Sequence, residues 1–147
     1  MSQHAILLVD DEERFISTTS KILERLGHNV HQATRGREAI ELMESHDIKV
    51  VIMDVKMPGM SGLETLATIK QRWPLVEIIM ITGHMSKEDA TECLRLGAFD
   101  FLLKPIDISE LITVTDEAFN KQKNLEEKLR LASIDPTRKT GNPTRED

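Results

Sequence analysis

The chain has 147 residues, 39% hydrophobic and 30% charged, with a net charge of −6, which fits one ordinary globular domain. No apolar run approaches the ~20 residues of a membrane span, no basic leader precedes an apolar stretch, and the one cysteine, Cys93, has no internal disulfide partner, so the cytoplasm is the expected compartment. The charge is uneven: 7 basic and 5 acidic residues from Lys121 onward leave 12 basic and 20 acidic before it, and so acidic a body argues against direct nucleic-acid binding by this segment, which depends on Lys and Arg neutralising phosphates.

Taken in chain order, Ala5–Val9 is an aliphatic run that predicts a strand buried on both faces. Phe15, Ile16, Thr19, Ile22, Leu23 and Leu26 form a helical stripe, with Gly27 as its C-terminal cap. Asn29–Ala33 carries His31 and Gln32 between Val30 and Ala33, which suits an edge strand. Ala39, Ile40, Leu42 and Met43 mark a second helix, and Val50–Met53 is a third, fully buried strand that Asp54 follows. Ser61-Gly62-Leu63-Glu64 is a capping box in which Ser61 and Glu64 satisfy free backbone N–H groups reciprocally. It opens a helix with Leu63, Leu66, Ala67 and Ile69 on its apolar face, ended by Pro74. Ile78–Ile81 is a fourth strand, and Ser86-Lys87-Glu88-Asp89 starts a fourth helix that ends near Gly97. Cys93, among Ala90, Leu94 and Leu96, reads as a buried structural thiol. Phe101–Leu103 is the fifth strand, and Asp107-Ile108-Ser109-Glu110 opens a fifth helix.

Where that helix stops is left open by its pattern. Leu111, Ala118, Leu125 and Ala132 fall seven apart and Leu129 reinforces them, but Thr115 and Gln122 occupy alternate seam positions. The stretch is either a fifth helix with a helical extension or a helix followed by a loose tail. From Asp135 the chain is polar and rich in breakers, and is expected to be disordered. The expected division is therefore a domain over residues 1–122, then an extension and tail over 123–147.

Strand and helix alternating five times predict an α/β fold with a parallel sheet covered on both faces. In such sheets, sites form outside the carboxyl ends of the strands. Asp10 and Asp11 follow the first strand, Asp54 the third, Thr82-Gly83 the fourth and Lys104-Pro105 the fifth. Converging carboxylates repel one another unless a cation joins them. Oxygen ligands at a phosphate-handling site favour Mg²⁺. An acidic metal cradle, a carboxylate nucleophile, a hydroxyl and an ammonium together are what phosphoryl transfer requires, because its transition state is stabilised by positioning and by positive charge on the equatorial oxygens.

The residues Val9-Asp10-Asp11-Glu12, Met53-Asp54, Met57-Pro58-Gly59-Met60-Ser61-Gly62, Thr82-Gly83 and Phe101-Leu102-Leu103-Lys104-Pro105 resemble the receiver domains of bacterial response regulators. The resemblance spans about residues 4–122. It implies a flavodoxin-like, five-stranded parallel sheet in the order 2-1-3-4-5. It also implies that Asp54 accepts a phosphoryl group from a sensor histidine kinase or phosphotransfer protein. Asp11 and Asp54 are then direct Mg²⁺ ligands, Asp10 acts largely through water, and the backbone carbonyl of Lys56 completes the protein's ligands. Thr82 and Lys104 are implied partners of the phosphoryl oxygens, with a cis Lys104-Pro105 bond shaping the loop. Phe101 is the implied aromatic switch that moves with Thr82. The surface made by the fourth helix, fifth strand and fifth helix is the implied readout, and a homodimer through that surface or through the C-terminal helix is an accompanying expectation. Lys56 and His84, each two residues beyond a site residue, flank the implied site mouth.

Two other readings meet specific obstacles. A phosphatase of the haloacid-dehalogenase type needs a second Asp two positions after its nucleophile, where this chain has Lys56. The sequence therefore favours a phosphoacceptor that assists its own phosphorylation and dephosphorylation over an enzyme that turns over substrate. A flavodoxin-like flavin binder needs a phosphate loop after the first strand, where Asp10-Asp11-Glu12-Glu13 would repel the phosphate.

Overall fold

A computed structural model of the chain describes residues 5–84 and 86–134. Strands and helices alternate through them as β1 (Ala5–Val9), α1 (Glu13–Arg25), β2 (Asn29–Ala33), α2 (Gly36–Ser45), β3 (Val50–Asp54), α3 (Gly62–Arg72), β4 (Glu77–Thr82), α4 (Lys87–Arg95), β5 (Asp100–Leu103) and α5 (Ile108–Ile134). The strands form one parallel sheet in the order β2-β1-β3-β4-β5, the flavodoxin-like α/β arrangement expected. The breaker-rich run from Asp135, expected to be disordered, lies outside the described residues. No helix among the described residues is long and apolar enough to cross a membrane.

Side chains alternate across a strand, so each buried strand feeds two cores. Leu7, Val9, Val51, Met53, Ile78 and Met80 pack with Met43 of α2, Leu66 and Ile69 of α3, and Cys93 of α4. Ile6, Leu8, Val50, Ile52, Ile79 and Ile81 pack on the opposite face with Ile16 and Leu23 of α1 and with Leu111, Val114 and Ala118 of α5. β1, β3 and β4 bury every residue, which explains their continuous aliphatic sequences, whereas β2 at the sheet edge keeps only Ala33 buried. Burial pushes the Cys93 thiol up to about 11, so it is an inert apolar filler at neutral pH.

The local signals read from sequence have physical counterparts. Ser61 accepts from the Glu64 N–H at 3.2 Å while Glu64 accepts from the Ser61 N–H at 3.0 Å, a complete capping box. Ser86 caps α4 by accepting from the Asp89 N–H at 3.0 Å. Gly27 ends α1 at φ 96°, a conformation that a Cβ disfavours.

Three details differ from expectation. Leu26 is 50% exposed, so the buried stripe of α1 ends at Leu23. Asp54 and Thr82 are the last residues of their strands, because the ladder continues through the pairs Asp54↔Ile81 and Thr82↔Leu103. In α5 the polar seam residues Thr115 and Gln122 are buried along with Leu111 and Ala118. The first part of the seven-residue spacing is thus the face that α5 turns to its own sheet. Its later part is looser, with Leu125 and Ala132 half-buried and Leu129 55% exposed. Lys121 reaches the buried Glu77 carboxylate at 3.5 Å, and Glu126 pairs with Lys49 at 2.6 Å, so α5 is tied to the amino ends of β4 and β3.

The turn after β3 closes tightly on the strand. The Gly62 N–H donates to the Val55 carbonyl at 2.9 Å, and a Cβ on Gly62 would lie 2.1 Å from the Asp54 carbonyl oxygen and 2.7 Å from Val55 Cα. Those neighbours are backbone and cannot swing aside. Gly62→Ala is expected to cost about 1–3 kcal/mol, the range of an overpacked core position, read as a lower denaturant midpoint at unchanged slope; a variant of parental stability would show that the α3 start can move away from Asp54.

Candidate functional site at the carboxyl edge of the sheet

Asp10 directly follows β1, and Asp54 closes β3. Both continue the alternation set by Ile6 and Leu8 and by Val50 and Ile52, which places them on the α1/α5 side of the sheet. Asp10 is fully buried and Asp54 nearly so, whereas Asp11 is exposed. Carboxylate oxygens of the three lie within 4.8 Å of one another. Asp10 Oδ1 accepts from the Glu12 N–H at 2.8 Å, and Asp54 Oδ1 accepts from the Lys56 N–H at 3.1 Å. One oxygen of each buried carboxylate is thus held by the backbone two residues on.

Lys104 comes across the site from the end of β5. Its ammonium donates to Asp10 Oδ2 at 2.7 Å and to Glu12 Oε1, and stands 3.7 Å from Asp54 Oδ2. The ring of Phe15 lies beneath it, 4.5 Å from centroid to Nζ. The Lys104-Pro105 peptide bond is cis. Thr82 is buried at the end of β4, and its hydroxyl donates to the His84 carbonyl at 3.1 Å. Glu12, Asp54, Lys56, Thr82, His84 and Lys104 line one open depression of about 540 Å³. A second groove of about 460 Å³, walled by Met43, Ile48, Trp73 and Leu129, lies near the amino ends of the strands, and among the described residues no group of three acids converges there.

Phe101 stands apart from the depression. It is half-buried in the core on the α2/α3/α4 side, paired in register with Met80 while Thr82 pairs with Leu103. Thr82 and Phe101 therefore share one face of the sheet, one step apart along the strands.

The electrostatics are those of a site short of positive charge. Burial raises the pKa of Asp54 above the ordinary 3.8; the Lys56 N–H opposes this, Asp10 and Asp11 add to it, and Lys104 offsets it only in part. Asp10 is raised for the same first reason, against its hydrogen bonds to Lys104 and Glu12. Burial alone would lower the Lys104 ammonium, but its bonds to Asp10 and Glu12 and the charges of Asp10 and Asp54 reverse the direction, and its pKa is raised. A cation among the carboxylates would favour their ionised forms. An all-oxygen set of three carboxylates suits a hard divalent ion.

Sequence reasoning named Asp10, Asp11, Asp54, Lys56, Thr82, His84 and Lys104, and the structure brings all seven to this edge. Two contributors went unassigned. Glu12 holds Asp10 with its backbone and Lys104 with its side chain, and Phe15 supplies the surface on which Lys104 rests. The run Asp10-Asp11-Glu12-Glu13 holds more acids than Mg²⁺ takes, but nothing local in it says that Glu12 is the one that meets Lys104.

This edge defines a receiver-type α/β domain. The chain belongs to the response regulator receiver domain family, whose model matches residues 6–116. It is 34% identical over 148 residues to an NtrX-like response regulator of Rickettsia bellii, covering 98% of this chain and 31% of the relative. The chain thus spans about a third of that relative's length. Among solved structures, it is similar to a CheY-like response regulator receiver domain protein from Methanospirillum hungatei, at TM-score 0.81 and 30% identity over 84% of this chain and 98% of the other. It is also similar to a beryllofluoride-activated NtrC4 receiver domain dimer, at TM-score 0.76 and 34% identity over 80% and 98%. The protein is therefore a receiver domain of the two-component response regulator class.

The raised carboxylate of Asp54 has a consequence for stability. The folded, metal-free protein binds more protons than the unfolded chain between the ordinary value of 3.8 and the raised one, so its stability falls as pH rises through that window. At neutral pH, Asp54→Asn is expected to be more stable than the parent, read as a higher Tm, because the buried charge is gone. Millimolar Mg²⁺ should raise the Tm of the parent more than that of the variant. Calorimetry with and without chelator reads both effects, and equal Mg²⁺ responses would contradict a divalent-ion site that includes Asp54.

Proposed function

We propose that Asp54 is the phosphoacceptor of this receiver. The observation that carries the reading is a buried carboxylate with one oxygen fixed by the Lys56 N–H and the other 3.7 Å from the Lys104 ammonium, at the lip of an open depression. An oxygen of Asp54 attacks the phosphorus of a phosphohistidine on a sensor kinase or phosphotransfer protein. The P–O bond forms as the P–N bond breaks, and the electron pair leaves with the imidazole, which takes up a proton.

Asp11 and Asp54 are the direct ligands for Mg²⁺ in this reading, with Asp10 acting largely through water and the Lys56 carbonyl completing the set. Bound there, the ion supplies the positive charge that phosphoryl oxygens need as they approach three carboxylates. Thr82 turns its hydroxyl from the His84 carbonyl to a phosphoryl oxygen, and Lys104 bonds another. The acyl phosphate adds about two negative charges and strong acceptor oxygens. The movement of Thr82 changes the space above Phe101 on the shared face, and the surface of α4, β5 and α5 carries the altered state. Lys56 and His84, lining the depression, tune the access of water to the acyl phosphate.

The protein stores the phosphoryl group and assists its own phosphorylation and dephosphorylation, without turnover of a separate substrate. It works in the cytoplasm, where residues 1–122 form the receiver, the part of α5 beyond them is a helical extension, and the phosphorylated state controls a downstream output. The likeness to a receiver dimer supports self-association through α4, β5 and α5 or through the extension of α5.

Incubation with a small acyl phosphate and Mg²⁺, followed by intact-mass measurement, tests the reading. One phosphoryl adduct is expected, absent without Mg²⁺ and absent in Asp54→Asn; an adduct that survives the substitution would refute the assignment.

A further inference from the structure

The ammonium of Lys104 has three N–H donors, and two are taken. One bonds Asp10 Oδ2 at 2.7 Å and another bonds Glu12 Oε1, while Asp54 Oδ2 at 3.7 Å lies beyond a hydrogen bond. Phe15 closes the side beneath the ammonium. The third N–H is left for a phosphoryl oxygen, but the ammonium that carries it is held 3.7 Å from Asp54 Oδ2, so a closer approach to Asp54 loosens one of the two existing bonds.

The two partners differ in what their release costs. The Asp10 side chain is 0% exposed, so losing Lys104 would leave a buried carboxylate without its cation. The Glu12 side chain is 62% exposed, and water replaces the ammonium there at small cost. Glu12 is therefore the partner that yields, and it already lines the depression that holds Asp54. A phosphoryl group carries close to two negative charges against the single charge of Glu12, so it wins the competition once it is covalently in place.

We propose that Glu12 is a positioning residue that retains Lys104 against Asp10 and away from Asp54 until a phosphoryl group on Asp54 competes for the ammonium. The inference rests on the reading of Asp54 as the phosphoacceptor. It gives the third consecutive acid a role separate from metal binding, as a brake on the phosphorylated state. Removing the Glu12 charge frees Lys104 and favours that state, and the gain passes through Lys104. A carboxylate that simply repelled incoming phosphate would give the same gain with Lys104 absent.

A double-mutant cycle separates these cases. Affinity for beryllofluoride in the presence of Mg²⁺ is measured by titration calorimetry for the parent, Glu12→Gln, Lys104→Met and the double variant. Glu12→Gln is expected to bind roughly threefold to fivefold more tightly than the parent, the scale of an ion pair with one exposed partner. In the Lys104→Met background the same change is expected to give no gain. In the metal-free protein, the nitrogen resonance of the Lys104 ammonium should shift in Glu12→Gln, which reads the contact even if the Lys104 variants fold poorly. An equal gain in both backgrounds, an unmoved ammonium resonance, or unaltered affinity in Glu12→Gln would overturn the proposal while the reading of Asp54 stood. Failure of the parent to bind beryllofluoride at all would instead remove the reading on which it rests.

Discussion

Three carboxylates within 4.8 Å of one another, at the edge of an otherwise aliphatic sheet, meet one lysine ammonium. The site's behaviour follows from that imbalance. Asp10 and Asp54 are both raised above the ordinary carboxylate range, burial first, because Lys104 alone does not offset the desolvation of two buried acids and the charge of a third. An arrangement of this kind is poised to take up positive charge, and a divalent ion is the simplest source. A phosphoryl group adds negative charge to the same place, so ion and phosphoryl group belong to one electrostatic problem.

The scaffold imposes the imbalance and prevents its relaxation. Asp10 and Asp54 sit at the ends of neighbouring strands, continuing the same face of the sheet, and hydrogen bonds from Glu12 and Lys56 fix one oxygen of each. The Gly62 N–H bonded to Val55 closes the start of α3 tightly on the backbone of Asp54. Aliphatic packing on both faces of β1, β3 and β4 makes the strands rigid supports. The donors facing these acids have partners that can be exchanged: Lys104 bonds the exposed Glu12, and the Thr82 hydroxyl bonds the His84 carbonyl.

Much of this was legible because strong local signals agreed with the global fold. Continuous aliphatic runs marked the doubly buried strands, the mixed run at His31 and Gln32 marked the edge, and the Ser61–Glu64 box marked a helix start. Given alternating elements, the strand-end rule alone drew Asp10, Asp54, Thr82 and Lys104 together. Where the pattern was ambiguous, tertiary packing decided. The seven-residue spacing from Leu111 resembled a seam for another helix, yet Thr115 and Gln122 are buried beside it, because α5 turns that stripe to its own sheet. Leu26 fitted the stripe of α1 but stands at the helix end, where no neighbour covers it. The part of Glu12 was hidden for a different reason: its bond to Lys104 spans 92 residues, and no local pattern encodes which acid meets which cation.

The proposed role of Asp54 as the phosphorylated residue rests on this imbalance. The most direct measurement is to treat the protein with a small acyl phosphate and Mg²⁺, reduce it with borohydride, and sequence the peptides by mass spectrometry. Borohydride converts an aspartyl phosphate to homoserine and so marks the modified position. Homoserine is expected at position 54 alone, and only when Mg²⁺ is present; homoserine at position 10 or 11 with position 54 unchanged would contradict that role.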